Sequence, residues 1–266
     1  MTTLLETIDL RKSFGGLQAV AGVSIQVVQG SLHTIIGPNG AGKTTFFNLL
    51  CGAIRPTAGR VIFKGREITG LPVHRAVRHG IGRSFQISNL FPNLTAFEHV
   101  RLAAQALSPR RYRIVGRAVA LAEETRRTRE ALALAGLSDQ AHLPAAALAH
   151  GDKRRLELAM LLAPDPELLM LDEPTAGMAS EQVPHLIDLI GRIRQDGRKT
   201  ILLIEHRMDV VMRISDRITV LHQGVVLAEG APQEIAADAA VQQAYLGTLY
   251  SGQAGGRTTH RDDSAA

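Results

Sequence analysis

GPNGAGKTT, residues 37–45, is the stretch whose reading decides the fold. An apolar run from Leu32 to Ile36 precedes it and reads as a buried strand; FFNLLCG follows and reads as a helix. Strand, glycine-rich turn and a Lys-Thr pair opening a helix is the P-loop pattern G-x-x-x-x-G-K-[ST]. Gly37, Gly40 and Gly42 let the backbone turn tightly and bring its N–H groups around a phosphate chain. The positive end of the helix that starts near Lys43 points at the same anion. Lys43 can reach the β- and γ-phosphates, and the Thr44 hydroxyl can ligate Mg²⁺. The sequence therefore predicts a nucleotide-binding α/β protein.

The 266 residues are enough for one large α/β domain, and 45% hydrophobic with 21% charged residues is ordinary globular composition. No apolar run reaches the ~18–20 residues that span a bilayer. The opening MTTLLETIDLRKSF lacks a signal-peptide core, which argues against export, and the lone Cys51 fits a reducing compartment. Cys51 itself reads as a small core residue. The net charge of +5 raises a nucleic-acid reading, with Arg110, Arg111, Arg113, Arg117, Arg126, Arg127 and Arg129 in one segment. Glu123, Glu124 and Glu130 interleave with them and stacking aromatics are scarce, so a solvated or membrane-proximal helix face is the better reading.

Strand-type patterning flanks the P-loop on both sides: LLETIDLRKSF, VAGVSIQVVQG and VIFKGREI, with a turn at Gly15-Gly16. This predicts an antiparallel flap beside a parallel core. From about Asn89 the pattern turns helical and alanine-rich, in FPNLTAFEHVRLAAQAL and RAVALAEETRRTREALALAGL, with Thr95 and Glu98 spaced as a capping box. A helical insertion is expected over 89–155, interrupting an α/β core of 1–88 and 156–250. LELAMLLA is read as a helix stopped by Pro164 and Pro166, and EQVPHLIDLIGRIRQDG as an amphipathic helix with Ser180 as its cap. VLHQGVVLAEG reads as a hairpin around Gln223-Gly224, and the polar tail 251–266 as disordered.

Two further strands end in polar residues. Asp172 and Glu173 close the apolar run LLML, which places both carboxylates at a strand's C-terminal edge, where open α/β sheets bind ligands. An Asp there can hold Mg²⁺ through its water shell, and the following Glu can polarise the water that attacks the γ-phosphate. His206 ends TILLIEH in the same way, although a lone strand-end histidine is more often structural.

Together these motifs make the chain resemble an ATP-binding-cassette (ABC) transporter ATPase from about Leu4 to Gly247. The resemblance implies a P-loop NTPase core of RecA-like type, mostly parallel in its sheet, with an N-terminal antiparallel β subdomain and an inserted α-helical subdomain. GPNGAGKTT matches the Walker A loop, so Gly37, Pro38, Asn39, Gly40, Ala41, Gly42, Lys43, Thr44 and Thr45 are its phosphate-binding residues. LLMLDEP matches Walker B, with Asp172 toward the metal and Glu173 as catalytic base. Gln86 in GRSFQ matches the Q-loop, a metal and nucleotide contact; His206 in IEHRM matches the switch histidine; Phe14 falls where an aromatic stacks on adenine. ATP and Mg²⁺ are the cofactors implied.

LAHGDKRRLELAM stands where the family carries its LSGGQ signature, which completes the partner subunit's site in a head-to-tail dimer. Ala149 replaces the serine, His150 the first glycine and Asp152 the glutamine, while Gly151 remains; Ala179 stands where the D-loop aspartate is usual. These departures, with GLQAVAGVS, LFPNLTAFEHV, the AGM of TAGMAS and AEGAPQEI, are similar to the larger ATPase of branched-chain amino-acid uptake systems, and urea-uptake ATPases look alike. The extra helical length around Ser108 to Arg129 fits that subunit. The implied assembly has a second ATPase, a heteromer being favoured over a homodimer, two membrane permeases and an external binding protein, on the cytoplasmic face of the cell membrane. A soluble ABC protein acting on ribosomes or DNA, or a nucleotide-gated assembly subunit, are the rival readings.

Overall fold

The computed structural model describes residues 2–84, 90–108, 122–195 and 197–244. Gln86, most of the arginine-rich segment and the tail expected to be disordered lie outside these. Two sheets organise the described residues. The first is antiparallel, built from β1 (Thr3–Phe14), β2 (Leu17–Val23), β3 (Gln26–Val28), β5 (Ala58–Phe63) and β6 (Arg66–Glu67) in the order β2-β1-β5-β6, with β3 also on β1. The second contains β4 (Leu32–Ile36), β7 (Ile81–Arg83), β8 (Leu168–Asp172), β9 (Thr200–Ile204), β10 (Arg217–His222) and β11 (Val225–Gly230) in the order β11-β10-β4-β9-β8-β7. All its pairings are parallel except that of β10 with β11. The predicted flap and core are therefore both present, and so is the hairpin at Gln223-Gly224.

Every residue of β4, β8 and β9 is buried, as expected of parallel strands covered on both faces. Most of their apolar side chains divide between two cores. Leu32, Leu169, Leu171, Ile201 and Leu203 join the one formed by the long helices; Ile35, Leu168, Met170, Leu202 and Ile204 join the one beneath the antiparallel sheet and α1 (Lys43–Leu50). Each such side chain contributes roughly 1.5–3 kcal/mol by burial. Cys51 lies in the second core, 2% exposed.

The helices α3 (Ala96–Gln105), α4 (Ala122–Leu134) and α5 (His150–Leu162) pack on one another, after the short α2 (Val73–Arg78). Thr95 caps α3 as predicted: its hydroxyl accepts from the Glu98 N–H at 3.2 Å, and the Glu98 carboxylate accepts from the Thr95 N–H at 2.8 Å. Thr95→Ala leaves an orphan donor at the first turn, so it should cost about 1 kcal/mol, read as a lowered urea midpoint at unchanged slope. On α4, Arg126 pairs with Glu123 and Glu130, and Arg127 with Glu123, so the described part of the basic segment is a solvated ion-pair face.

α5 begins at His150 and runs unbroken to Leu162. One local expectation needs correction. The helix α6 (Val183–Gln195) begins three residues beyond Ser180, which does not cap it. Pro184, the second helical residue, is compatible with that start, since an N–H in the first turn has no partner within the helix. The remaining helices are α7 (Met208–Ile214) and α8 (Pro232–Ala237).

Candidate functional site

The P-loop leaves the C-terminal end of β4, a central strand, and delivers α1 with Lys43 as its first residue. Two of its glycines are dictated by contacts far away in sequence. A Cβ on Gly37 would lie 2.1 Å from the Leu221 carbonyl oxygen, and one on Gly42 would lie 2.3 Å from that of Ala19. Gly42 also holds φ +95° as the residue before the helix, a conformation that L side chains avoid. The β10–β11 turn braces the loop from outside: Gly224 N–H donates to the Ala41 carbonyl at 3.1 Å, and the Ala21 N–H donates to the Gly224 carbonyl at 2.7 Å. Ala41 is thereby buried, while Asn39, Gly40 and Thr44 face solvent, and Pro38 and Thr45 are half-buried.

Lys43 is 8% exposed, and its ammonium donates to the carbonyls of Gly37 at 2.7 Å and Pro38 at 3.0 Å, two residues of its own loop. Burial pulls its pKa down, and the charges of Glu173 and Asp172 pull it back up. The three sequence-predicted groups are thus brought within electrostatic reach of one another. That follows from the order β4-β9-β8, which lines up three strand ends on one edge.

Asp172 is the last residue of β8, with a fully buried side chain. Its Oδ2 accepts from Arg83 at 3.3 Å and its N–H donates to the Ser84 hydroxyl at 3.1 Å. Burial pushes its carboxyl up, and the Arg83 guanidinium opposes that. Its Oδ1, also buried, has no hydrogen-bond partner among the described residues. A carboxylate oxygen left this way suits a hydrated cation, as does the exposed Thr44 hydroxyl at the start of α1.

Glu173 turns out of the strand with φ +47°, a left-handed conformation that a non-glycine residue holds only when its surroundings enforce it. The enforcement is visible: its N–H donates to the Ile204 carbonyl at 2.9 Å, and its carbonyl accepts from the Ala176 N–H at 3.0 Å. Its Oε1 lies 3.7 Å from Nδ1 of His206, which follows β9. Glu205, which sequence reading passed over, is completely buried between them. Its carboxylate accepts from the Thr175 hydroxyl and, at 2.9 Å, from the His206 N–H. It ties the turn after Glu173 to the residue that carries the imidazole. The only sequence signal for it was an acid breaking the apolar run TILLI.

Phe14, half exposed at 50%, ends β1 with the Lys12 ammonium 4.9 Å from its ring centroid. It sits on the β1–β2 hairpin that also carries Ala19, the residue against Gly42. Ala149, His150 and Gly151 open α5 at a different place, where Ala149 and Gly151 line a cleft with Met178, Gln182 and His185. Ala149 and His150 are exposed, and Ala149 has no side-chain oxygen to cap the helix. Within this one chain they are not part of the Lys43, Glu173 and His206 cluster. Gln86 lies outside the described residues.

Comparison with known proteins adds the family. The ABC transporter family matches residues 20–176, and the family described as branched-chain amino acid ATP-binding cassette transporter matches residues 225–249. The chain is 42% identical to the high-affinity branched-chain amino acid transport ATP-binding protein BraF of Pseudomonas aeruginosa, covering 92% of this chain and 98% of that protein. Among solved structures it is similar to an ATP-binding cassette of an ABC transporter in its ADP conformation, with a TM-score of 0.82 and 28% identity over 93% of this chain and 100% of that one. A dimeric cassette in a post-hydrolysis state with ADP and Pi gives a TM-score of 0.72 and 26% identity over 86% of this chain and 99% of that one. A family match over more than half the chain, and a relative of such identity across nearly all of both sequences, agree with the edge on which the P-loop and the two carboxylates meet: the chain belongs to the ABC transporter family, as an ATP-hydrolysing cassette.

Proposed function

We propose that this chain is the ATPase subunit of an importer for branched-chain amino acids, working from the cytoplasmic face of the cell membrane. The observation that carries the solute reading is the match of residues 225–249 to the branched-chain amino acid family, a segment outside the ATP site. No helix among the described residues is long and apolar enough to cross a membrane, so in this reading other subunits supply the channel. An apolar groove of about 530 Å³ between α2, α3 and α5, lined by Val73, Val77, Leu90, Ala103, Leu107 and Met160, supports the contact with them.

ATP binds with its phosphates in the loop of Gly37 to Thr45 and its adenine toward Phe14. Mg²⁺ carried in with the nucleotide would supply neutralisation of the charge that develops on the phosphates. The Thr44 hydroxyl and Asp172 are the residues that would hold it, Asp172 through its water shell, and Gln86 is the further contact that the family resemblance implies. Glu173 orients and deprotonates the attacking water, and His206, 3.7 Å from it, contacts the γ-phosphate edge. Ala149, His150 and Gly151 face the nucleotide of a second ATPase subunit, across a dimer of the kind seen in the post-hydrolysis relative.

The test is a pull-down of tagged Glu173→Gln with ATP from native membranes, read by mass spectrometry. Two polytopic permeases and a second, shorter ATPase are expected, with uptake of radiolabelled leucine lost in the deletion strain. Ribosomal or DNA-repair partners without a membrane protein would overturn the transport assignment.

A further inference from the structure

Arg83 is a half-buried cation that the catalytic reading does not use. It ends β7, the edge strand, and its side chain is only 16% exposed. Its two terminal nitrogens reach two separate elements. Nη1 donates to Asn48 Oδ1 at 2.5 Å and to Cys51 Sγ at 3.0 Å, on and just beyond the helix that the P-loop opens. Nη2 donates to Asp172 Oδ2 at 3.3 Å. The neighbouring Ser84 completes the attachment: its hydroxyl accepts from the Asp172 N–H, and its own N–H donates to the Met170 carbonyl at 2.9 Å. Asp172 is therefore held at its backbone and at one carboxylate oxygen, while its buried Oδ1 has no hydrogen-bond partner among the described residues.

We propose that Arg83 is a positioning residue for the metal-bearing nucleotide: by holding Oδ2 of Asp172 and tying it to α1, it fixes the carboxylate with Oδ1 alone left to receive the cation's water shell. The proposal rests on the assignment of Asp172 to the metal side of the site. A guanidinium can do this because its planar fork serves two elements at once; an ammonium offers one point charge and cannot span both. The consequence is specific. Losing Arg83 frees the Asp172 rotamer, which penalises nucleotide that arrives with metal and leaves metal-free nucleotide held by the P-loop backbone and Lys43.

The experiment compares dissociation constants for ATP in excess Mg²⁺ and in EDTA, by calorimetry on the full chain, for wild type, Arg83→Met, Arg83→Lys, Asp172→Asn and Arg83→Met/Asp172→Asn. With Mg²⁺, Arg83→Met should weaken binding about tenfold or more, the scale for residues that orient metal ligands. In EDTA it should stay within about twofold of wild type, and the double variant should be no worse than Asp172→Asn alone. Arg83→Lys keeps the charge without the fork, so it should show the same selective loss at smaller size, and it serves if the methionine variant does not fold. Equal losses with and without Mg²⁺, or losses that add in the double variant, would show Arg83 to be structural only and overturn the proposal. If Asp172→Asn itself binds Mg²⁺-ATP as tightly as wild type, the assignment of Asp172 falls, and the proposal with it.

Discussion

Lys43→Ala is expected to reduce ATP hydrolysis by at least ~10²–10³-fold, the scale for removing one preorganised charge from a reacting site, and to weaken ATP binding as well. Lys43 opens the helix that the P-loop delivers, and it is already desolvated. Its ammonium is stored on the carbonyls of Gly37 and Pro38, so binding exchanges those two bonds for bonds to phosphate with little movement. Without it, the triphosphate meets the carboxylates of Asp172 and Glu173, whose charges now act on Lys43, with that offsetting charge removed. Lys43→Arg should fail too, because a planar guanidinium cannot stand in for the compact ammonium held on the Gly37 and Pro38 carbonyls. The measurement is steady-state phosphate release together with calorimetric ATP affinity, with a thermal melt to show that the fold survives. Hydrolysis within about threefold of wild type, at equal affinity, would remove Lys43 from the machinery.

Much of this site was legible in the sequence because the chemistry constrains residue type at fixed spacing. The P-loop glycines are an instance, although sequence alone could not say why Gly37 and Gly42 tolerate nothing larger. The atoms that forbid a Cβ belong to Leu221 and Ala19, on strands that only the fold brings to the loop. Strand ends carrying Asp172, Glu173 and His206 were legible for a similar reason: an all-apolar run that stops in an acid or a histidine marks where a parallel sheet reaches its open edge.

The partners of Arg83 and Glu205 were not legible, and the cause is physical. Charged residues are normally exposed, so a sequence reading assigns them to the surface unless a partner is known. The partner of Arg83 lies 89 residues later, on a strand that becomes its neighbour only through the crossover that places β7 beside β8. Glu205 is satisfied by a hydroxyl from Thr175 and a main-chain N–H, neither of which advertises itself locally. The start of α5 shows the opposite difficulty. Ala149 precedes it with no side-chain oxygen, so the usual capping signal is missing although the helix is present. At α6 a capping residue type was present at Ser180, but the helix starts three residues later, at Val183.

Glu173→Gln should separate binding from chemistry. The amide keeps the shape of the carboxylate and its place 3.7 Å from His206, but it cannot accept a proton from water. Loss of a general base costs about 10²–10⁴-fold in rate, so turnover should nearly stop while ATP affinity holds, since the P-loop, Lys43 and Asp172 are untouched. The strained turn at φ +47° is kept by main-chain bonds to Ile204 and Ala176, not by the carboxylate, so the variant should melt close to wild type. The readout is nucleotide recovered from the protein after rapid gel filtration with Mg²⁺ and ATP: intact ATP for the variant, ADP for wild type. Normal turnover in Glu173→Gln would assign the base elsewhere. Lost turnover without retained ATP would mean instead that Glu173 helps to bind the nucleotide. Glu173→Asp distinguishes the two, because it preserves the charge but withdraws the carboxylate from the attacking water, and should therefore bind ATP normally and hydrolyse it slowly.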